Sequence, residues 1–105
     1  MGRLKNFIRE SNSEIVNYLI KAGFEYNTFV CGSNYGYQRG FKVDGGIYYT
    51  YIHCDLENKK LNVYKEYDCG GEVASYNCNI PDALIENDNV NEFIEWLDKE
   101  TEYYL

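Results

Sequence analysis

The fold is decided by residues 47–67, which run Ile47-Tyr48-Tyr49-Thr50-Tyr51-Ile52-His53-Cys54-Asp55-Leu56, then Glu57-Asn58-Lys59-Lys60, then Leu61-Asn62-Val63-Tyr64-Lys65-Glu66-Tyr67. Two stretches rich in β-branched and aromatic residues flank four polar residues, the pattern of two strands joined by a tight turn. Successive strand side chains point to opposite faces. One face of the first strand therefore carries Tyr48, Thr50, Ile52, Cys54 and Leu56, and the other Ile47, Tyr49, Tyr51, His53 and Asp55. In the second strand Leu61 and Val63 share one face, with Asn62, Tyr64 and Glu66 on the other. Helices packed on the aliphatic face would leave Tyr49, Tyr51, His53 and Tyr64 on an open, aromatic, polar-tipped face.

Working outward, the same texture continues on both sides. Residues 25–31 and 35–43 are rich in Tyr, Phe and Val around Gly32-Ser33-Asn34, a further hairpin candidate. Asp44-Gly45-Gly46 is a turn signal before Ile47, and Gly70-Gly71 turns the chain into residues 72–80. Short connections between successive strands favour an antiparallel meander of four or five strands. Pro81 ends the sheet region.

Helical spacing appears at the two ends. Leu4, Phe7 and Ile8 precede a capping-box pattern in which Ser11 would cap and Glu14 reach back. Ile15, Val16, Leu19 and Ile20 continue the stripe and Gly23 stops it. Leu4 and Ile15 are about three turns apart, so one kinked helix over residues 3–22 and two short ones are equally compatible. After Pro81, Val90, Phe93, Ile94, Leu97 and Thr101 recur at helical spacing, with Asp88 expected as N-cap. The expected fold is a single α+β domain over residues 1–105. It is an antiparallel four- to five-stranded meander flanked by an N-terminal and a C-terminal helix.

Charge is distributed unevenly along this frame. Residues 1–46 hold six bases and four acids, a net of +2, whereas residues 47–105 hold four bases and thirteen acids, a net of −9, together the −7 of the chain. From Glu66 onward eleven acids face only Lys99. Such a field repels nucleic acid and anionic membrane and attracts cationic surfaces. On a C-terminal helix, Asp88, Glu92, Glu95, Lys99 and Glu102 fall opposite the core stripe, with Trp96 and Tyr103 beside them. Acids next to large aromatics suit a protein-binding patch, because Trp and Tyr dominate interface hot spots. Trp96 closing the core over the sheet edge is the structural alternative.

The usual chemical signatures are missing from the pattern. Cys31, Cys54, Cys69 and Cys78 include no C-x-x-C pair, and His53 is the only histidine, so neither zinc nor another cofactor is expected. Cys54 and Cys78 read as small core residues and Cys69 as an exposed thiol. His53 and Asp55 share a strand face, yet a surface histidine is the simpler expectation. Gly32, Gly36 and Gly40 are spaced by four without a following Gly-Lys-Ser/Thr, so they form no phosphate loop. The open tyrosine face resembles a base-stacking surface only until its cations are counted, since that half of the chain supplies acids. With no apolar run of membrane length and no secretory pattern at the start, a cytoplasmic location is expected.

In size, acidity, richness in Tyr and Asn (twelve of each) and lack of catalytic residues, the chain resembles the small acidic inhibitors of phages and mobile elements, anti-CRISPR proteins among them. The resemblance is one of general character over the whole chain and transfers no functional positions. It implies a non-enzymatic protein that inhibits a basic nucleic-acid-binding host-defence protein, such as a CRISPR nuclease, by charge mimicry. An immunity or antitoxin-type protein neutralising a cognate toxin is the alternative. Either way the expected partner is a protein with a basic surface, met by Asp88, Glu92, Glu95, Trp96, Glu102 and Tyr103, or by Tyr49, Tyr51 and Tyr64.

Overall fold

A computed structural model describes residues 13–30, 32 and 34–105. The fold is α+β: helix α1 (Glu14–Lys21), strands β1 (Glu25–Thr28), β2 (Tyr35–Val43), β3 (Tyr48–Asp55), β4 (Lys60–Tyr67) and β5 (Glu72–Asn79), then helices α2 (Asp82–Glu86) and α3 (Val90–Thr101). The strands form one antiparallel sheet in chain order, β1-β2-β3-β4-β5.

The central hairpin is the one legible in residues 47–67. Ile52 stands opposite Val63 and Cys54 opposite Leu61, so the aliphatic faces of β3 and β4 coincide. Its turn is held by Asp55, whose buried carboxylate accepts from the backbone N–H of Asn58 at 3.1 Å and from its side-chain amide at 2.9 Å. The turn also places Lys59 at a positive φ of 56°.

Helices cover that aliphatic face. Ile15 and Leu19 from α1, Leu84 from α2, and Phe93 and Leu97 from α3 join Ile52, Cys54, Leu61 and Val63 in one core cluster. Each fully buried side chain of this kind stabilises the fold by about 1.5–3 kcal/mol. Thr101 closes the stripe, buried, with its hydroxyl turned back to the Leu97 carbonyl at 2.8 Å. No helix among the described residues is long and apolar enough to cross a membrane.

Both helix starts differ from the sequence reading. The cap of α1 is Ser13, whose hydroxyl accepts from the Val16 N–H at 3.1 Å. Glu14 is thus the first helical residue, while Ser11 and the possible break at residues 10–12 lie outside the described residues. At α3 the cap is Asn89, one residue later than expected, accepting from the Glu92 N–H at 3.2 Å. Asp88 is displaced from that role because its backbone enters the left-handed region, at φ 50°. The short helix α2 was also absent from the sequence reading: five residues after Pro81 are too few to show a period. Strand β1 stops at Thr28, and Cys31 lies outside the described residues.

Candidate functional site

Sorting the acids by what they touch locates the site. Of the eleven from Glu66 onward, six are engaged within the fold. Glu66 stands beside the Tyr51 hydroxyl, and burial followed by that carboxylate holds the phenol above its usual range. Glu72 accepts from the Ser75 hydroxyl at 3.2 Å, and Glu100 from the Tyr76 hydroxyl at 2.6 Å. Lys59 pairs with both Asp82 and Glu86, at 3.4 and 3.6 Å.

The sixth, Asp88, holds two elements together. Its carboxylate accepts from the Ser13 hydroxyl at 2.8 Å and from the backbone N–H groups of Glu14 and Ile15 at 2.6 and 3.1 Å. A negative charge at a helix N-terminus satisfies orphan donors and meets the positive end of the helix dipole. Partial burial raises the Asp88 carboxyl, but the three donors outweigh it and hold it below its ordinary value. Asp88 therefore caps α1 from across the fold and does not stand with the outward acids.

What remains are Asp68 and, on one side of the molecule, Glu92, Glu95, Asp98 and Glu102. These four are exposed and have no hydrogen-bond or ion-pair partner among the described residues. They are spaced by three or four residues on α3 and the 3-10 turn Glu102–Tyr104 that extends it, so they rise along one helical surface. All four line a shallow groove of about 790 Å³ between α2 and α3, together with Lys99 and Trp96. Asp98 was missed in the sequence reading, although its place three residues after Glu95 and four before Glu102 could have shown it.

The aromatic partners separate. Trp96 is half-buried, with its ring 6.0 Å from that of Phe93, and it also lines the groove. It thus joins the two roles set against each other in the sequence, packing on the core and facing the acids. Tyr103 lies beyond the end of α3, is 82% exposed and contacts Tyr104 edge-on at 5.1 Å. The helical periodicity that set it beside Trp96 stops at Thr101. Tyr104 is drawn inward, stacked on Tyr76 at 6.0 Å, and its carbonyl accepts from the Thr50 hydroxyl at 2.7 Å.

The second candidate face is more closed than expected. Tyr49, Tyr51 and Tyr64 share the side of the sheet away from the core, with Tyr51 directly opposite Tyr64, but all three are only half-exposed. Gly36 and Gly40 explain part of this. A Cβ on Gly40 would lie 2.9 Å from the Tyr51 ring, and one on Gly36 would lie 2.6 Å from the His53 ring. The glycine spacing noted in the sequence thus makes room for two rings lying across β2.

His53 itself is not at the surface: it is fully buried, with the Phe29 ring 5.2 Å away over it. Its Nε2 lies 3.4 Å from the Asn27 carbonyl, and Nδ1 has no partner among the described residues. Burial pushes its pKa down, against the opposing pull of the Asn27 and Asn34 backbone and of Asp55. Strand alternation placed His53 on the correct face, but the cover comes from the loop after β1, which alternation cannot foresee. Of the cysteines, Cys54 is buried in the core with its thiol pushed up to about 12 by burial, Cys78 is half-buried and Cys69 is exposed. Among the described residues no group of three or more His, Cys, Asp or Glu side chains gathers as metal ligands would. Comparison with protein-family models, with curated proteins and with solved structures found no match.

Proposed function

We propose that this chain is a non-enzymatic binding protein that uses the outer surface of α3 to occupy the basic channel of a nucleic-acid-binding protein, in the manner of an inhibitor of a host-defence nuclease such as a CRISPR nuclease. The observation that carries the reading is the set of unpartnered carboxylates on Glu92, Glu95, Asp98 and Glu102 along one rigid surface. Ten residues of helix span about 15 Å, so the four acids give one charge per roughly 4–5 Å. A single DNA strand presents one per roughly 3.4 Å of axis. Lys99 lowers the density without reversing its sign. A packed helix also needs no backbone ordering on contact, which favours its use as a fixed imitation of a phosphate row.

The test is inhibition of target-DNA cleavage by a panel of CRISPR nucleases, with the native chain and with a Glu92→Lys, Glu95→Lys, Glu102→Lys triple variant. The native chain should inhibit a susceptible nuclease in a salt-sensitive way, and the triple variant should lose roughly tenfold or more in affinity. Inhibition untouched by the three reversals would sink the proposal, as would the lack of any salt-sensitive complex across the panel.

A further inference from the structure

The groove beside α3 has a floor unlike its rim. Pro81, Ala83 and the indole of Trp96 supply apolar surface above the buried Leu84, while Glu92 and Glu95 stand toward the start of α3 and Asp98, Lys99 and Glu102 toward its end. At about 790 Å³ the groove is too large for one side chain and suits a short segment of polypeptide. Its charge selects a cationic segment. The indole then distinguishes between the two cations available to a protein. A guanidinium can stack flat on an indole while its N–H edge still donates in pairs to a carboxylate, whereas an ammonium is a compact, strongly hydrated charge. Lys99, one turn beyond Glu95, offsets one of the two charges of Asp98 and Glu102 and leaves the Glu92–Glu95 end the more negative.

Resting on the binding role argued above, we propose that this groove takes an arginine side chain from a basic segment of the partner. The guanidinium lies on Trp96 and against Glu92 and Glu95, with an apolar side chain of the same segment on Pro81 and Ala83. Trp96 is the only tryptophan in the chain, so its emission reports the site directly.

The experiment titrates the full chain with a blocked amphipathic peptide carrying one arginine and one leucine a helical turn apart. Copies of the peptide with lysine or citrulline in place of the arginine serve as controls. The arginine peptide should change Trp96 emission saturably. Lysine should weaken binding about threefold or more and citrulline about tenfold. Glu92→Gln and Glu95→Gln should each weaken the arginine peptide, while Glu102→Gln should not. No saturable change at millimolar peptide, or equal binding of the lysine copy, overturns the assignment. The same variants in the nuclease assay separate the two ideas. Peptide failure with charge-sensitive inhibition removes only the arginine site, and peptide binding with charge-insensitive inhibition removes only the proposed function.

Discussion

Replacing Asp88 by Asn tests the cross-fold cap without changing side-chain shape or the left-handed backbone, which Asn tolerates as well as Asp does. One carboxylate oxygen serves both Ser13 and Ile15, and the other serves Glu14. An amide retains the first pair of bonds but loses the charge, and its NH2 group meets the Glu14 N–H donor to donor. Hydrogen bonds to a charged acceptor contribute about 1 kcal/mol more than neutral ones. Loss of a negative charge at a helix N-terminus costs a further 0.3–1 kcal/mol or so. The exposed Glu14 N–H can turn to water, which limits the third contribution. The expected destabilisation is about 1.5 kcal/mol, or roughly 6–12 °C in Tm for a domain of this size.

The charge also fixes a pH signature. The Asp88 carboxyl is held below its ordinary value of 3.8 in the fold, so its contribution is complete above that value and is lost as pH falls through the depressed one. The gap between native and variant chains in urea denaturation, followed by circular dichroism, should therefore be constant from pH 5 to 8 and close progressively below about 4. A loss under about 0.5 kcal/mol at neutral pH would refute the reasoning, as it falls below what any N-cap of this strength contributes. A gap that stays constant through the acid range would refute it too. Partner affinity should be unchanged in the same variant, because Asp88 is spent inside the fold.

Four further outcomes follow from the packing. Burial lowers the His53 pKa in the fold, so the unfolded chain takes up a proton first on acidification; stability should begin to fall as pH drops below about 6.5, and His53→Gln should remove that slope. Gly36→Ala should destabilise by about 2–3 kcal/mol in urea denaturation, because its Cβ meets the Cys54 carbonyl at 2.7 Å as well as the His53 ring. Gly40→Ala should cost less, about 1 kcal/mol, since only the half-exposed Tyr51 ring has to move. Thiol labelling of the native chain should modify Cys69 far faster than Cys54, and equal rates would contradict the core assignment of Cys54.

The sheet was readable because its pattern is local. Alternation in residues 47–67 placed Ile52, Cys54, Leu61 and Val63 on one face, and the register of β3 with β4 pairs them as alternation requires. The C-terminal helix was readable for the same reason, through Phe93, Leu97 and Thr101. Contacts between distant parts of the chain were not. The bond from Asp88 to Ser13 spans 75 residues, and no periodicity shows that an acid just before one helix caps another. The burial of His53 depends on Phe29, 24 positions away and on a loop. The acidic face was legible as a stripe, but only the contacts of Glu66, Glu72, Asp82, Glu86, Asp88 and Glu100 reveal which acids are already spoken for.

Charge mimicry requires that the chain and DNA compete for one channel, so mutual exclusion is its most direct test. A labelled target duplex is titrated against a susceptible nuclease at increasing concentrations of the chain, at two salt concentrations. The apparent Kd for DNA should rise in proportion to the chain concentration, and the competition should weaken at high salt. A ternary complex in which the nuclease holds the duplex and the chain together, with unchanged affinity for each, would contradict the account.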